Sequence, residues 1–422
     1  MSAVSGAPGR SFNRDVQYYK FCAYGFLKNL RFYEPFLMLF FLEKGLSYAQ
    51  IGTLYATREV CINLVEVPSG MLADALGRRL TMIVSFLAYI VAFSVFFVAA
   101  DYWLLFAAMV AYAFGDAFRT GTHKAMIFDY LNGKGWQHLR THYYGRTRAW
   151  SQRGAAVSAL IAAGLVLWHG SYAVVFLFTI GPYVLDLLLI ASYPAALDGP
   201  RYQSTRSVRD EFAAVLRSLV VSMKHPAALR AITNQALYSG YYKACKDYLQ
   251  PILKSVALTV PLFVGLAARE RTAILAGAVY SLLYAVTAAA SRRSGDLADR
   301  SGNLEKPLNL TLWTGAAFGL FSGVLYWIGA PPLAILPYIG IYILENLRKP
   351  MGITYVSERM QQQSLASALS VESQAETLIA AVMALLLGVL GSAFGLGPAI
   401  VLVSGLCLLV GILIRLPVSQ AA

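Results

Sequence analysis

Lys28, Arg31 and Glu34 stand inside a run of otherwise apolar and aromatic residues, and the same mixture returns at Lys243, Lys246 and Asp247. Ionisable side chains in such surroundings are the groups in this chain most able to do chemistry. Tyr24, Lys28, Arg31 and Pro35 follow i, i+4, i+7, i+11 spacing and therefore share one helical face. The second group lies among Tyr238, Tyr241, Tyr242 and Tyr248. Cations flanked by tyrosines suit an anionic, aromatic or amphipathic solute, held by charge-assisted hydrogen bonds and by cation–π or stacking contacts. Carboxylates beside such cations can take up protons with an affinity set by burial and by the neighbouring charge. Glu34, Glu59, Asp116, Asp247 and Glu345 are the candidates for that role.

Two further clusters repeat one spacing. Asp116, Arg119 and His123 share a face, and Glu345, Arg348 and Lys349 recur much later in the chain. An acid and an arginine three residues apart can pair along one helix. Lys28, Arg31, Arg119, Tyr241, Lys243, Lys246 and Arg348 are accordingly the candidate solute-binding residues. The alternative for many of these charges, with Arg58, Glu66, Asp186, Glu372 and Glu376, is a set of salt bridges that hold or switch the helices.

Catalytic chemistry finds no support. There is no Ser/His/Asp arrangement, no His-Glu-x-x-His and no phosphate-binding loop, so neither an enzyme nor an ATP-driven pump is expected. Cys22, Cys61, Cys245 and Cys407 fall in apolar blocks at unrelated spacings and read as small buried hydrophobes. No metal or cofactor is expected.

The elements that must carry these charges are set by hydropathy. The 422 residues are 58% hydrophobic and 14% charged, against about 45–50% and 25% in soluble domains. The apolar residues come in blocks near 20 residues, the length that crosses a ~30 Å hydrocarbon core. Twelve windows qualify: 17–42, 47–72, 80–100, 102–131, 147–168, 171–195, 229–253, 272–291, 307–329, 332–357, 367–392 and 395–416. An ionisable group at mid-bilayer costs about 2.5–3.5 kcal/mol, so each is expected to face a watery cavity or a partner. Residues 1–14 are polar and lack a signal-peptide core, so the first block is retained. Lys and Arg concentrate in the connections after windows 2, 4, 6, 8 and 10, which makes that side cytoplasmic and puts both termini inside. The net charge of +13 is spread over those connections and fits anionic lipid rather than nucleic acid. Residues 196–228 read as a linker with an amphipathic surface helix carrying Val208, Phe212, Val215, Leu216, Leu219 and Val220 on one stripe.

The chain also repeats itself. Ser69-Gly70-Met71-Leu72-Ala73-Asp74-Ala75-Leu76-Gly77 returns as Ser294-Gly295-Asp296-Leu297-Ala298-Asp299-Arg300-Ser301-Gly302. Asp116, Arg119 and Asp129 correspond to Glu345, Arg348 and Glu358, and Gly25, Lys28, Arg31 and Pro35 to Gly240, Lys243, Lys246 and Pro251. Duplicated six-span units with a cytoplasmic linker are expected to meet about an axis along the membrane normal, with a site between them near the midplane.

On the motif Gly70-x-x-x-Asp74-x-x-Gly77-Arg78-Arg79, its second copy and the duplicated twelve-span plan, the sequence resembles the major facilitator superfamily over essentially its whole length. The resemblance implies an all-α membrane protein with twelve transmembrane helices in two six-helix bundles related by a pseudo-two-fold axis. The bundles would comprise residues 1–195 and 229–422. It implies that helices 1, 4, 7 and 10 line a central cavity, and that the loop residues Gly70, Asp74, Gly77, Arg78, Arg79, Gly295, Asp299 and Gly302 form a gate. The expected protein is a monomeric secondary transporter of the cytoplasmic (inner) membrane. It would move a small polar, anionic organic solute by alternating access, coupled to protons. The competing reading is a proton-driven exporter of drugs or amphipathic metabolites, which the absence of a Gly-Pro signature from helix 5 (Ala149 to Leu160) disfavours. A receptor would need an appended soluble domain.

Overall fold

The structure is a computed structural model that describes residues 14–198, 226–261, 263–358 and 365–417. The amphipathic stripe expected at 208–220 lies outside them. Sixteen α-helices are described, and they combine into twelve transmembrane spans. Span 1 is α1 (Val16–Lys28) and α2 (Leu37–Glu43); spans 2 and 3 are α3 (Tyr48–Leu76) and α4 (Arg78–Val98). Span 4 is α5 (Tyr102–Arg119) with α6 (Thr122–Gly133), and spans 5 and 6 are α7 (Arg140–His169) and α8 (Val174–Ala191). Span 7 is α9 (Pro226–Cys245) with α10 (Leu249–Thr259), and span 8 is α11 (Ala268–Arg292), followed by the short α12 (Ser294–Ser301). Spans 9 to 12 are α13 (Glu305–Trp327), α14 (Pro331–Glu358), α15 (Leu365–Phe394) and α16 (Leu396–Leu413).

Seven of these, spans 3, 5, 6, 8, 9, 11 and 12, are long and apolar enough to cross a membrane by length and composition alone. The other five, spans 1, 2, 4, 7 and 10, are either broken or heavily charged. Polar side chains in a bilayer need a cavity or a partner, so the charges of these five spans must be placed first.

Spans 1 and 7 break at corresponding places. Pro35 and Pro251 each lack an N–H, and each ring collides with the carbonyl four residues earlier, which belongs to Arg31 and Asp247 respectively. Between α1 and α2 the backbone runs through turns, and between α9 and α10 through a single 3-10 turn, Lys246–Tyr248. Backbone groups freed inside a membrane must find other partners. Gln250 supplies them for span 1: its Nε2 donates to Glu34 O (2.9 Å), and its Oε1 accepts from Met38 N (2.8 Å) and Leu39 N (3.3 Å). Tyr338 Oη donates to Cys245 O (2.6 Å), and Tyr342 Oη to Lys246 O, doing the same for span 7.

The two bundles touch along two long seams of related design. Span 2 lies against span 11, and span 5 against span 8. A methyl group at Gly52 would sit 2.6 Å from Ala384 O and 2.8 Å from the Cα of Gly388; one at Gly277 would sit 2.5 Å from the Cβ of Ala163. Gly277 lies 225 positions after Gly52, the same offset that relates Ser294 to Ser69. The duplication read in the loops therefore extends into the packing.

Candidate functional site

A cavity of about 250 Å³ lies on the terminus-bearing side of the break in span 1, between spans 1, 4 and 5. Its cations are Lys28, Arg119, Lys124 and Arg148, its rings include Tyr24, His123 and Tyr144, and no carboxylate is among its lining residues. Lys28 Nζ makes no ion pair or hydrogen bond among the described residues. Arg119 is aimed from below: its Nη2 lies 2.5 Å from Asp116 Oδ1 and its Nε donates to Tyr89 Oη (3.1 Å), while that hydroxyl donates to the same Asp116 oxygen (2.7 Å). His123 is a satisfied side chain, stacked on Tyr24 at 3.6 Å between centroids and 3.2 Å from Tyr193 Oη. Lys124 Nζ rests over the rings of Phe128 and Tyr144.

A second cavity of about 170 Å³ sits between the bundles. It shares Asn29, Ser151 and Gln152 with the first, so the two adjoin. Arg31 and Glu34 come from the break in span 1, Tyr242 from span 7, Tyr284 from span 8, and Tyr342 and Asn346 from span 10. Glu34 is its one carboxylate among the described residues, lying 3.3 Å from Lys246 Nζ and 3.8 Å from Arg31 Nη1.

The remaining expected site residues are distributed otherwise. Lys243 lines neither cavity; its Nζ lies 2.9 Å from Glu376 Oε1 and 3.6 Å from Glu59 Oε2. Glu59 also binds Arg58 (2.9 Å), and Glu376 binds Lys349 (3.4 Å), which lies 3.8 Å from Glu345. This chain of alternating charges links spans 2, 7, 10 and 11. Asp247 is buried, and its one ion-pair partner among the described residues is Lys246, at 3.9 Å. Lys28, Arg31, Lys243 and Lys246 thus do not form one focus: the first two face cavities, and the last two are held by carboxylates.

Two expectations are corrected outright. Arg348 does not pair with Glu345 as Arg119 pairs with Asp116. It is fully buried and donates to Asn234 O (2.7 Å), Asn234 Oδ1 (2.5 Å) and Leu308 O, while Glu345 accepts from Ser239 Oγ at 2.8 Å. Tyr241 lines neither of these two cavities. It is buried in the groove left by Gly319 on span 9, where its hydroxyl meets Ser404 Oγ at 2.8 Å.

The loop residues serve the first bundle internally. Gly77 has φ of +100°, a conformation open to glycine and strained for other residues, and it redirects the chain between spans 2 and 3. Arg78 pairs with Asp129 of span 4. Arg79 donates from its backbone N to Asp198 Oδ1 (2.9 Å) and from Nη1 to Tyr193 O (3.0 Å). Gly70 and Gly295 have open space around them, Asp299 is exposed, and Gly302 has φ of +66°. The side chains of Asp74 and Glu358 lie outside the described residues.

Charged side chains flanking two adjoining cavities, one within the first bundle and one at its contact with the second, are a carrier's architecture. A sequence model of the Major Facilitator Superfamily matches residues 21–369. The chain belongs to that superfamily. It is a membrane transporter of the superfamily's type rather than an enzyme, and it handles small-molecule solutes within the bilayer. The uncharacterized MFS-type transporter YxaM of Bacillus subtilis (strain 168) is 20% identical over 383 residues, covering 88% of each chain. Among solved structures, a point mutant of the nucleoside transporter NupG superposes with a TM-score of 0.76 at 13% identity, covering 94% of this chain and 98% of that one. A bacterial homologue of the human lysosomal transporter Spinster, inward-facing and unoccupied, gives 0.71 at 16%, covering 95% and 97%. A POT family transporter in complex with 5-aminolevulinic acid gives 0.71 at 13%, covering 94% and 95%. At these identities the likeness speaks to fold alone.

Sequence reasoning misses many of the cavity-lining residues, Lys124, Tyr144, Arg148, Ser151 and Gln152 among them. Arg148 reads as a loop charge because it stands at the edge of the fifth apolar window, whereas α7 begins at Arg140. Ser151 and Gln152 look like ordinary helix residues, and the only available signal is their position just past a cluster of arginines.

Proposed function

We propose that this transporter moves a small organic anion by alternating access, with proton movement coupled through Glu34. The observation that carries the reading is Lys28, without an ion pair among the described residues, in a cavity whose other charged lining residues among them, Arg119, Lys124 and Arg148, are all cationic. Converging cations, of which only Arg119 has an ion-pair partner among the described residues, hold an anion by charge-assisted hydrogen bonds, and a cationic or neutral solute would leave Lys28 uncompensated. Tyr24 and Tyr144 add flat surfaces for an aromatic or amphipathic portion.

The coupling step follows from the adjoining cavity. Glu34 holds Arg31 and Lys246 together across the two bundles. A proton on Glu34 removes the charge that joins them, leaving Arg31 available to the solute and the bundles free to separate there. On the same side, Arg269 pairs with Glu43 and donates to Gly170 O, while Gln250 ties span 7 to span 1. These bonds would have to open for solute to pass toward the face opposite the termini. The gate role of the Gly70–Arg79 loop belongs to this proposal: Arg78 and Arg79 would exchange their present partners in the other state. Membrane of residence is the cytoplasmic membrane, with the basic, terminus-bearing face inside.

The test is ligand-induced thermal stabilisation of the purified protein across matched organic anions, neutral isosteres and cations. A ligand stabilises by RT ln(1 + [L]/Kd), so anions should dominate the responders. A responder set made of cations or neutral drugs would replace this reading with the exporter reading.

A further inference from the structure

Away from the solute path, spans 7, 9 and 12 end together on the terminus-bearing face and enclose a cavity of about 570 Å³. Arg230 from the start of α9 and Arg415 beyond α16 flank it, with Trp313 on its wall. Both arginines are exposed, and neither has an ion pair among the described residues. No carboxylate lines the cavity among the described residues; Glu305, one turn before Asn309 on α13, is buried and is not among the lining residues. The rim is built rather than incidental. Asn309 binds Leu416 reciprocally, Nδ2 to Leu416 O at 2.8 Å and Oδ1 from Leu416 N at 2.9 Å, which pins the segment carrying Arg415 against span 9. Trp313 Nε1 donates to Gly411 O at 3.2 Å and fixes its ring at the mouth.

The cavity continues into an apolar groove of about 450 Å³ that shares Trp313 and runs along spans 9 and 12 past Ala317, Phe318, Phe321 and Leu408. Trp313 to Phe321 is about 12 Å along the helix axis, directed from the interface into the hydrocarbon. Phe318 and Phe321 are lipid-exposed, at 37% and 56% of their surface.

The geometry points to a site for one anionic phospholipid, its phosphodiester between Arg230 and Arg415 and an acyl chain in the groove beyond Trp313. Each part has a reason. Two unpaired guanidiniums at the headgroup level attract phosphate, arginine matches phosphate oxygens bidentately, and tryptophan belongs at the interface where one edge is wet and the other apolar. A free phosphate would satisfy the arginines and leave the groove unexplained; a zwitterionic lipid would fill the groove and bring its own cation to the arginines. The site is separate from Lys28 and Glu34, so it stands or falls independently of the solute.

Native mass spectrometry of the delipidated full chain, titrated with phosphatidylglycerol and with phosphatidylcholine of identical chains, tests it. Phosphatidylglycerol should bind the parent in preference to phosphatidylcholine. In Arg230→Ala/Arg415→Ala its affinity should fall about thirtyfold, equivalent to about 1 kcal/mol for each arginine. Lys306→Ala, an exposed cation on the same face that does not line the cavity, should leave it unchanged, while Arg230→Lys/Arg415→Lys, which keeps the charges and loses the bidentate match, should fall between the parent and the double alanine variant. Equal affinity for the two lipids in the parent would overturn the proposal without recourse to any variant. So would an unaltered phosphatidylglycerol affinity in the double alanine variant, or displacement of the lipid by glycerol 3-phosphate at matching concentration.

Discussion

Lys246 Nζ lies 3.3 Å from Glu34 Oε1, joining the break in span 7 to the break in span 1. Two prolines at corresponding positions put both side chains there, and Gln250, four residues after Lys246, closes the same junction with hydrogen bonds to Glu34 O and Met38 N. One ion pair thus ties together the two bundles, the two irregular backbones and the wall of the inner cavity. Among the described residues only two other ion pairs cross between the bundles, Lys243 with Glu59 and Arg269 with Glu43. Neither touches a cavity that also holds Lys28 or Arg31.

Glu34→Gln should separate transport from its driving force. The amide keeps the size and the hydrogen-bond acceptor but cannot exchange a proton or hold a charge. In proteoliposomes, gradient-driven accumulation should be lost while solute counterflow persists. Accumulation equal to the parent's would assign coupling elsewhere.

Lys28→Ala should weaken solute affinity roughly ten- to hundredfold, the loss of one charge-assisted contact of about 1.5–3 kcal/mol. Because Lys28 makes no hydrogen bond or ion pair among the described residues, the thermal stability of the solute-free protein should fall far less than the affinity. Lys28→Arg should recover part of the affinity. A fall in stability with affinity intact would show a structural role instead.

Arg348→Ala should behave in the opposite way. Removing the guanidinium strands Asn234 O, Asn234 Oδ1 and Leu308 O in a dry interior, at about 3 kcal/mol or more. Lower yield and a lower unfolding temperature are expected, with solute affinity of the surviving protein unchanged. Circular dichroism melts and binding on the same preparation read both quantities.

Gly52→Val and Gly277→Val should each slow turnover by crowding one of the two seams, overpacking being worth about 1–3 kcal/mol. Gly164→Ala on span 5 is the control, since no atom lies within 4 Å of the added methyl. Similar turnover in all three would mean that the seams are not the surfaces that rock.

Much of this was readable from residue types. Blocks of apolar length gave the spans, and charges inside them pointed to spans 1, 4, 7 and 10. The paired Pro35 and Pro251 mark the breaks where those charges gather. What periodicity could not supply was which face of a helix meets which neighbour. Tyr241 and Tyr242 are adjacent in a tyrosine-rich stretch, yet one turn of about 100° sends Tyr241 into the Gly319 groove and Tyr242 into the inner cavity. Arg119 and Arg348 each have an acid three residues earlier, Asp116 and Glu345. Arg119 is turned to it by Tyr89 of span 3, whereas Arg348 is drawn off by Asn234 of span 7, a partner chosen by packing at long range. Lys243 looked equivalent to Lys28 until span 11 brought Glu376 to it. Arg148 shows the converse error, a charge assigned to a loop because the helix extends well beyond its apolar part.

The claim on which the transport account rests is that solute is held by Lys28 and Arg119. An experimental structure with a bound brominated organic anion, chosen from the strongest stabilisers, locates the ligand by its anomalous signal. The account predicts the anion's acidic group within hydrogen-bond distance of Lys28 Nζ, in the cavity walled by Arg119, Tyr24 and Arg148. An anion found instead beside the Lys243–Glu376 network, or outside both cavities, would contradict it.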